Sequence, residues 1–174
     1  MLDRITMIPI SVRQATLDDL STVSEILSEA AAWLDRENMT LWQPEHISKY
    51  TIIQDIELGL FYIAFVEGVA AGVVIFQTED LVFWPDIIQT DSTFLHRLAV
   101  RRSFAGGSVS TQIFQWALDR TRDLGRHFVR LDCVADRPRL RLVYENFGFK
   151  HHSDRQVGAY FVARYEYEIC DRIN

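Results

Sequence analysis

One segment, residues 94–113, constrains the fold more than any other part of the chain. It consists of an apolar strand, a loop that contains Gly106 and Gly107, and a helix that begins at Ser108. The first turn of a helix has unpaired backbone N–H groups and a partial positive charge. Two glycines let a bound group approach the backbone closely, and Ser108 and Ser110 add hydroxyl donors. The segment therefore predicts an anion-binding turn, although an ordinary helix start capped by Ser108 has the same spacing and is more frequent.

Strands and helices alternate along the rest of the chain, as hydrophobic periodicity and turn residues indicate. The predicted strands span residues 10–13, 61–67, 69–77, 94–100, 127–133, 149–152 and 161–169. The predicted helices span residues 16–33, 44–56, 108–125 and 138–147. Hairpins near both ends favour an α/β fold with a central, twisted, mixed sheet of about six to seven strands, flanked by about four helices.

Composition excludes several classes of protein. The chain has 174 residues, of which 48% are apolar, and no linker or repeat divides it. This length suits one domain, residues 1–174, with a single core. No run approaches the roughly 18 apolar residues of a membrane span, and the first residues do not resemble a signal peptide. Cys133 and Cys170 are therefore expected to be reduced thiols, and we expect a cytoplasmic protein with no membrane partner.

Charge divides the chain into two halves. Residues 1–96 contain 15 acids and 4 bases, a charge of −11, whereas residues 97–174 contain 14 bases and 9 acids, a charge of +5, which together give −6. Such asymmetry predicts an anionic partner for the basic half or, with equal weight, a surface on which the two signs interleave. A nucleic acid is disfavoured as the partner, because the chain is acidic overall and its arginines do not alternate with exposed aromatic residues.

The residues from 94 to 149 resemble the Gcn5-related N-acetyltransferases, the GNAT superfamily. Three motifs carry the resemblance: Leu98-Ala-Val100, then Ala105-Gly-Gly-Ser-Val-Ser110, and finally Asp136 followed by Tyr144-Glu-Asn-Phe-Gly-Phe149. The opening residues Val12 to Asp19 also match, so the resemblance covers nearly the whole chain. It implies an acceptor-side half over residues 1–93, an acetyl-CoA-binding core over 94–149 and C-terminal strands over 150–174.

The resemblance also implies which residues bind acetyl-CoA. The backbone of Leu98, Ala99 and Val100 would pair with the pantetheine arm. The loop that holds the pyrophosphate would comprise Ala105, Gly106, Gly107, Ser108, Val109 and Ser110. Arg101 and Arg141 flank this loop, and Asp136 stands where the family has an asparagine. Ala105, Ser108, Ser110 and Asp136 depart from the usual motif residues, so a non-catalytic acyl-CoA-binding module is the alternative to an enzyme.

Two residues are candidates for proton transfer. By the resemblance, Tyr144 would be the general acid that protonates the departing thiolate, and a phenol suits a thiol leaving group. The alternative for Tyr144 is a core aromatic residue. His96 has a pKa suited to the base, but a simply hydrogen-bonded histidine is more frequent, and Asp132 or a water molecule competes equally. His151 and His152 have no third ligand at metal spacing, so no metal is expected.

The acceptor site is predicted from aromatic and acidic residues near the first two helices. Trp33, Glu37 and Trp42 suit a cationic amine, although an amphipathic helix end with Trp33 in the core is slightly favoured. Phe83 and Trp84 are interpreted as a lid, a homodimer contact or, by default, a loop packing its own side chains. The sequence thus predicts acetyl transfer from acetyl-CoA to a primary amine of a small molecule or peptide, by direct attack in a ternary complex.

Overall fold

The computed structural model describes residues 7–170, which form a seven-stranded mixed sheet with four α-helices. The strands are Ile10–Gln14 (β1), Phe61–Val66 (β2), Val69–Gln77 (β3), Ser92–Val100 (β4), Phe128–Val134 (β5), Lys150–Val157 (β6) and Tyr160–Glu168 (β7). The helices are Leu20–Arg36 (α1), Lys49–Glu57 (α2), Val109–Asp123 (α3) and Pro138–Phe147 (α4). The strand order is β1-β2-β3-β4-β5-β7-β6, with β4 and β5 parallel and the other neighbours antiparallel. The predicted fold class is confirmed.

Helices cover both faces of the sheet, which explains the long apolar run in β3. Val73 and Ile75 pack with the buried side chains of α1 and α2. Val74 and Phe76 point to the opposite face and pack with the buried side chains of α3. Since successive strand residues face opposite sides, a strand buried on both faces is apolar at every position.

Two irregularities in β4 open the sheet at its centre. The parallel pairing of β4 with β5 ends at Leu95 and Leu131, although both strands continue beyond that point. On its other side β4 contains one extra residue, a β-bulge, and Arg97 there has a φ of 47°. Bulges bend a strand and interrupt its pairing. Among the described strands, therefore, none pairs with the edge of the second half of β4 that faces β5.

The structure corrects the predicted C-terminal hairpin. Its strands are residues 150–157 and 160–168, not 149–152 and 161–169, with Gly158 in the turn at a φ of 55°. The first of these strands, Lys150–Val157, is largely polar and lies at the edge of the sheet, so it lacks the apolar alternation from which strands are predicted.

Trp84 is buried, so it is available neither as a lid nor as a homodimer contact. This indole is 0% exposed, and the guanidinium carbons of Arg130 and Arg164 lie 5.4 Å and 4.6 Å from its ring centroid. Arg164 also donates to both carboxylate oxygens of Asp86, at 2.6 Å and 3.0 Å. The loop between β3 and β4 is thereby fixed to the sheet, as the default interpretation expected, and Trp84 is no surface contact.

The two charged halves of the sequence interleave in the fold. Arginines of the basic half pair with carboxylates of the acidic half; they are Arg97, Arg101, Arg130, Arg155 and Arg164. Much of the asymmetry is therefore internal pairing rather than a free basic surface. Within residues 7–170, no helix is both long enough and apolar enough to cross a membrane.

Candidate active site

A cleft of about 730 Å³ lies where β4 and β5 diverge. His96 and Leu98 of β4, Asp132 of β5 and Tyr144 of α4 line it, together with Trp42 from the segment before α2. The cleft thus brings together both residues proposed for proton transfer, one strand residue proposed for the pantetheine arm and one ring of the predicted acceptor site.

His96 lies between two carboxylates. Its Nε2 is 2.8 Å from Asp80 Oδ2, and its Nδ1 is 4.0 Å from Asp132 Oδ2. Asp80 is held in turn by the backbone N–H groups of Val82 and Phe83, which donate to its Oδ1 at 3.1 Å and 2.9 Å. The imidazole is 19% exposed and faces the cleft, so one carboxylate orients the ring while the other side of the ring remains available.

The pairing of Asp80 with His96 shifts the pKa of each residue toward its charged form. Burial acts to raise the pKa of Asp80, but the hydrogen bond with His96, the charge of His96 and the two backbone donors lower the pKa overall. Burial acts to lower the pKa of His96, but the hydrogen bond with Asp80 and the charges of Asp132 and Asp80 raise it overall. An ionised Asp80 can only accept, so the Nε2 of a neutral His96 carries the proton and Nδ1 is left as a base.

Asp132 has a different environment from Asp80. Its Oδ2 is buried and has no hydrogen-bond partner among residues 7–170, and its side chain is 8% exposed. Burial raises the pKa of Asp132 to about 6, while the charge of His96 acts to lower it and the charge of Asp80 raises it further. The indole of Trp84 is near enough to lower this pKa as well, but its N–H completes no hydrogen bond.

The same three residues offer ligand-type atoms within 4.8 Å of one another. The Nε2 of His96 is already hydrogen-bonded to Asp80, which leaves Nδ1 and Asp132 Oδ2 as free ligand atoms. Protein zinc sites supply three or four ligands. The arrangement suits a hydrogen-bonding group better than a metal ion.

Tyr144 is positioned by a cluster of aromatic rings. Its side chain is 7% exposed and packs against Phe114, Phe149 and Tyr165, with ring centroids 6.1 Å, 6.2 Å and 5.7 Å away. Burial, with smaller contributions from Cys133, Asp132 and Tyr165, raises the pKa of Tyr144 well above its usual value. The phenol is both a core residue and a cleft residue, and it stays protonated until a strong base accepts its proton.

Cys133 is not suited to act as a covalent nucleophile. The residue is buried, and burial, together with the charge of Asp132, raises the pKa of its thiol to about 12. Since the thiolate is the reactive form, this thiol is inert near neutral pH. Its predicted role in packing is confirmed.

The glycine loop is exposed to the solvent, although the N–H groups of Ala105 and Gly107 donate to Arg102 O and Phe104 O. Ala105, Gly106 and Gly107 are exposed, and Gly106 has a φ of 76° with open space at the position of a Cβ. The first backbone hydrogen bond of α3 runs from Gln112 N to Ser108 O. The N–H groups of Val109, Ser110 and Thr111 therefore take no part in the helix ladder. Ser108 Oγ does not cap the helix but accepts from Gln112 Nε2 at 2.9 Å.

The arginines near the loop are mostly engaged elsewhere. Arg101 donates to Ala70 O and pairs with Glu25 and Glu29 of α1, at 3.3 Å and 3.6 Å. Arg141 donates to Tyr165 Oη at 2.7 Å and to Ala135 O at 3.2 Å. These contacts are made within the protein, so the backbone N–H groups at the start of α3 are more available to an anion than the arginines are.

The remaining predicted site residues lie outside the cleft. Asp136 is exposed at the start of α4 and pairs with Arg137. The Arg102 guanidinium lies 4.0 Å from the ring of Trp33, and Glu37 is exposed at the end of α1. Neither Trp33 nor Glu37 lines the cleft, whereas Trp42, five residues after Glu37, does.

Sequence reasoning missed two features of the site. Asp80 belongs to the irregular segment before β4, and only the fold brings it to His96, 16 residues later in the chain. The bulge at Arg97 carries no glycine, and an ion pair with Asp55 of α2 fixes this arginine. A buried acid in a loop has no periodic signal, so neither residue could be identified from a pattern.

Comparisons with known proteins agree on one family. The model of the acetyltransferase (GNAT) family matches residues 27–149. The uncharacterised N-acetyltransferase YesJ of Bacillus subtilis is 31% identical over 147 residues, which cover 78% of this chain and 79% of YesJ. A GNAT-family acetyltransferase of Listeria monocytogenes has a similar structure, with a TM-score of 0.77, 27% identity and coverage of 91% of this chain and 94% of that one.

Two further solved structures share the fold and hold a ligand. The PaiA N-acetyltransferase of Thermoplasma acidophilum, in complex with coenzyme A, has a TM-score of 0.70 and 20% identity, and the match covers 91% of this chain and 99% of that one. YncA of Salmonella typhimurium, with acetyl-CoA, has a TM-score of 0.68 and 13% identity, with coverage of 95% and 96%.

Proposed function

The chain belongs to the GNAT family of acetyltransferases, and we propose that it transfers the acetyl group of acetyl-CoA to a primary amine of a small molecule or peptide. The observation that carries this proposal is the pairing of His96 with Asp80 in the same cleft as Tyr144. One group is suited to accept the proton of an amine, and the other is suited to give a proton to a thiolate.

The fold supports acetyl-CoA as the donor. The second half of β4 has an unpaired edge facing β5, to which the pantetheine amides would hydrogen-bond. The loop from Ala105 to Ser110 would bind the pyrophosphate through backbone N–H groups at the start of α3, where Gly106 leaves the approach open. Two proteins of the same fold bind coenzyme A or acetyl-CoA.

The chemistry assigns one proton to each residue. The amine nitrogen attacks the thioester carbonyl, so that a C–N bond forms and the C–S bond breaks. His96 Nδ1 takes the proton that leaves the amine, and Asp80 stabilises the resulting imidazolium. Tyr144 donates its proton to the departing sulfur, which leaves as the thiol. Holding both reactants in one cleft supplies much of the remaining rate enhancement.

Thermal unfolding with coenzyme A, followed by an amine panel, tests the proposal. A ligand at about 100 times its dissociation constant adds roughly 2.7 kcal/mol of stability, so the melting temperature should rise. Release of free thiol from acetyl-CoA should then increase when a suitable amine is added. No shift at millimolar ligand contradicts the donor assignment. A shift without turnover on any amine would instead make the chain a binding module.

A further inference from the structure

One carboxylate in the cleft has a buried oxygen that completes no hydrogen bond with the described residues. Three carboxylates line the cleft among the described residues. Asp55 pairs with Arg97, and Asp80 is bound to His96. The remaining one, Asp132, keeps its Oδ2 buried and unbonded. An unpaired buried carboxylate costs stability, so its presence at the floor of a cleft points to a ligand that supplies the missing donor.

We propose that Asp132 binds the ammonium group of the acceptor and holds it against His96, and that the acceptor is a primary amine on an uncharged, largely apolar body. This inference rests on the proposed function and deepens it, because it names the residue that recognises the amine and the class of molecule that carries the amine.

The distances favour a shared ligand. Asp132 Oδ2 and His96 Nδ1 are 4.0 Å apart, too far for a hydrogen bond to each other. For a ligand nitrogen about 2.8 Å from both atoms, the angle between the two hydrogen bonds at that nitrogen would be roughly 90°. An ammonium group has three donors in a tetrahedral arrangement and can therefore reach the oxygen and the ring nitrogen together.

The role of Asp80 follows from the same geometry. It fixes His96 through Nε2 and is itself fixed by the Val82 and Phe83 amides, so Nδ1 stays directed toward Asp132. Asp80 is thus a positioning residue, whereas Asp132 and His96 would contact the amine. The bound ammonium first loses a proton to His96 Nδ1, which passes it to solvent, and the freed lone pair attacks the thioester carbon. His96 Nδ1 then takes the second proton, which leaves the nitrogen as the C–N bond forms.

The walls of the cleft restrict the rest of the acceptor. They are mostly apolar or aromatic, and include Trp42, Val82, Phe83, Val157 and Tyr160. A second ammonium group on the acceptor would find no second free carboxylate among the described cleft residues. Burying an unpaired charge is costly, so diamines should be poor acceptors. Arg97, the arginine that lines the cleft, already pairs with Asp55, so an amine with a neighbouring carboxylate should be a poor acceptor as well.

A matched pair of amines tests the substrate class. Hexylamine and pentamethylenediamine have nearly the same length, and the second replaces a terminal methyl group by an ammonium group. With wild-type protein and acetyl-CoA, kcat/KM should be at least about 10-fold higher for hexylamine, which corresponds to an unpaired charge costing about 1.4 kcal/mol. Equal or better turnover of the diamine overturns the proposed class.

A conservative substitution tests the role of Asp132. Asp132→Asn should raise the KM for hexylamine about 10-fold to 100-fold, the effect of losing a hydrogen bond to a charged group, and leave the KM for acetyl-CoA within about twofold. Asp119→Asn, on the exposed surface of α3, is the matched control and should change neither value. An unchanged amine KM in Asp132→Asn overturns the inference.

The failures of the two proposals are distinguishable. If no amine is acetylated by the wild-type protein although coenzyme A binds, the proposed function fails. If the wild type acetylates diamines or amino acids in preference to hexylamine, the proposed function stands and the inference about the acceptor fails.

Discussion

Replacing Asp132 by asparagine should stabilise the fold even though it harms activity. The carboxyl group titrates near its usual pKa of 3.8 in the unfolded chain but at about 6 in the folded protein, because burial disfavours its charge. A folded pKa above the unfolded one means that the folded state holds the proton more tightly. Stability contributed by this group is therefore present at low pH and lost as pH rises from about 4 through about 6.

The magnitude follows from the two pKa values. A difference of about two units corresponds to about 3 kcal/mol of lost stability near pH 8, and roughly half of that loss is already present near pH 5. Asparagine has almost the same shape and no charge, so Asp132→Asn does not lose stability as the pH rises through this range. The stability of Asp132→Asn relative to wild type should therefore increase by about 1–2 kcal/mol between pH 5 and pH 8.

Urea unfolding at several pH values measures this difference. Wild type, Asp132→Asn and the control Asp119→Asn are compared in the same buffers, so that other titrating groups cancel. The destabilising effect of the buried Asp132 charge is refuted by a stability difference that does not change with pH. It is also refuted if Asp132→Asn becomes relatively less stable than wild type toward pH 8. The latter result would mean that the ionised carboxylate is a structural partner, for example of the Trp84 indole.

Further variants test the other site residues. His96→Gln should lower kcat about 100-fold or more and leave the KM for acetyl-CoA unchanged. In the wild type the rate should rise with pH, with a midpoint above the usual histidine pKa of 6.5, and the variant should lose this rise. An unaltered pH profile contradicts the role of His96 as the base. Tyr144→Phe should lower kcat about 10-fold or more and leave coenzyme A binding intact; an unchanged rate rejects the role as acid. Gly106→Ala should raise the KM for acetyl-CoA, since its Cβ would stand beside the phosphate loop. Gly125→Ala, at a similar φ of 67° against 76° and equally open, should cost stability alone. Equal KM values for acetyl-CoA in the two glycine variants would mean that the loop does not bind acetyl-CoA.

The loop that precedes α3 shows what local sequence can establish. The apolar strand before it, its two glycines and the helical spacing after it all act over a few residues, so the strand, loop and helix could be predicted together. The end of α4 at Gly148 also follows from local sequence, whereas the place of Tyr144 in the site follows only from the resemblance to the family. Short-range rules were sufficient for these elements.

The environment of His96 shows where such rules end. Asp80 and Asp132 reach this histidine from an irregular segment and from another strand, and their opposite pKa shifts arise from burial and backbone donors that appear only in the fold. Trp84 is buried because two arginines pack on its ring, which its local sequence does not indicate. Long-range packing, not propensity, determines these positions.

Transfer of a labelled acetyl group shows whether the chain acetylates an amine. Acetyl-CoA carrying an isotopic label in its acetyl group is incubated with hexylamine and either the wild-type protein or His96→Gln, and the products are analysed by mass spectrometry. We expect the label to move to the amine nitrogen as an amide in the presence of wild type, at a rate at least about 100-fold above that of the variant. Binding of coenzyme A without a labelled amide from any amine would contradict it.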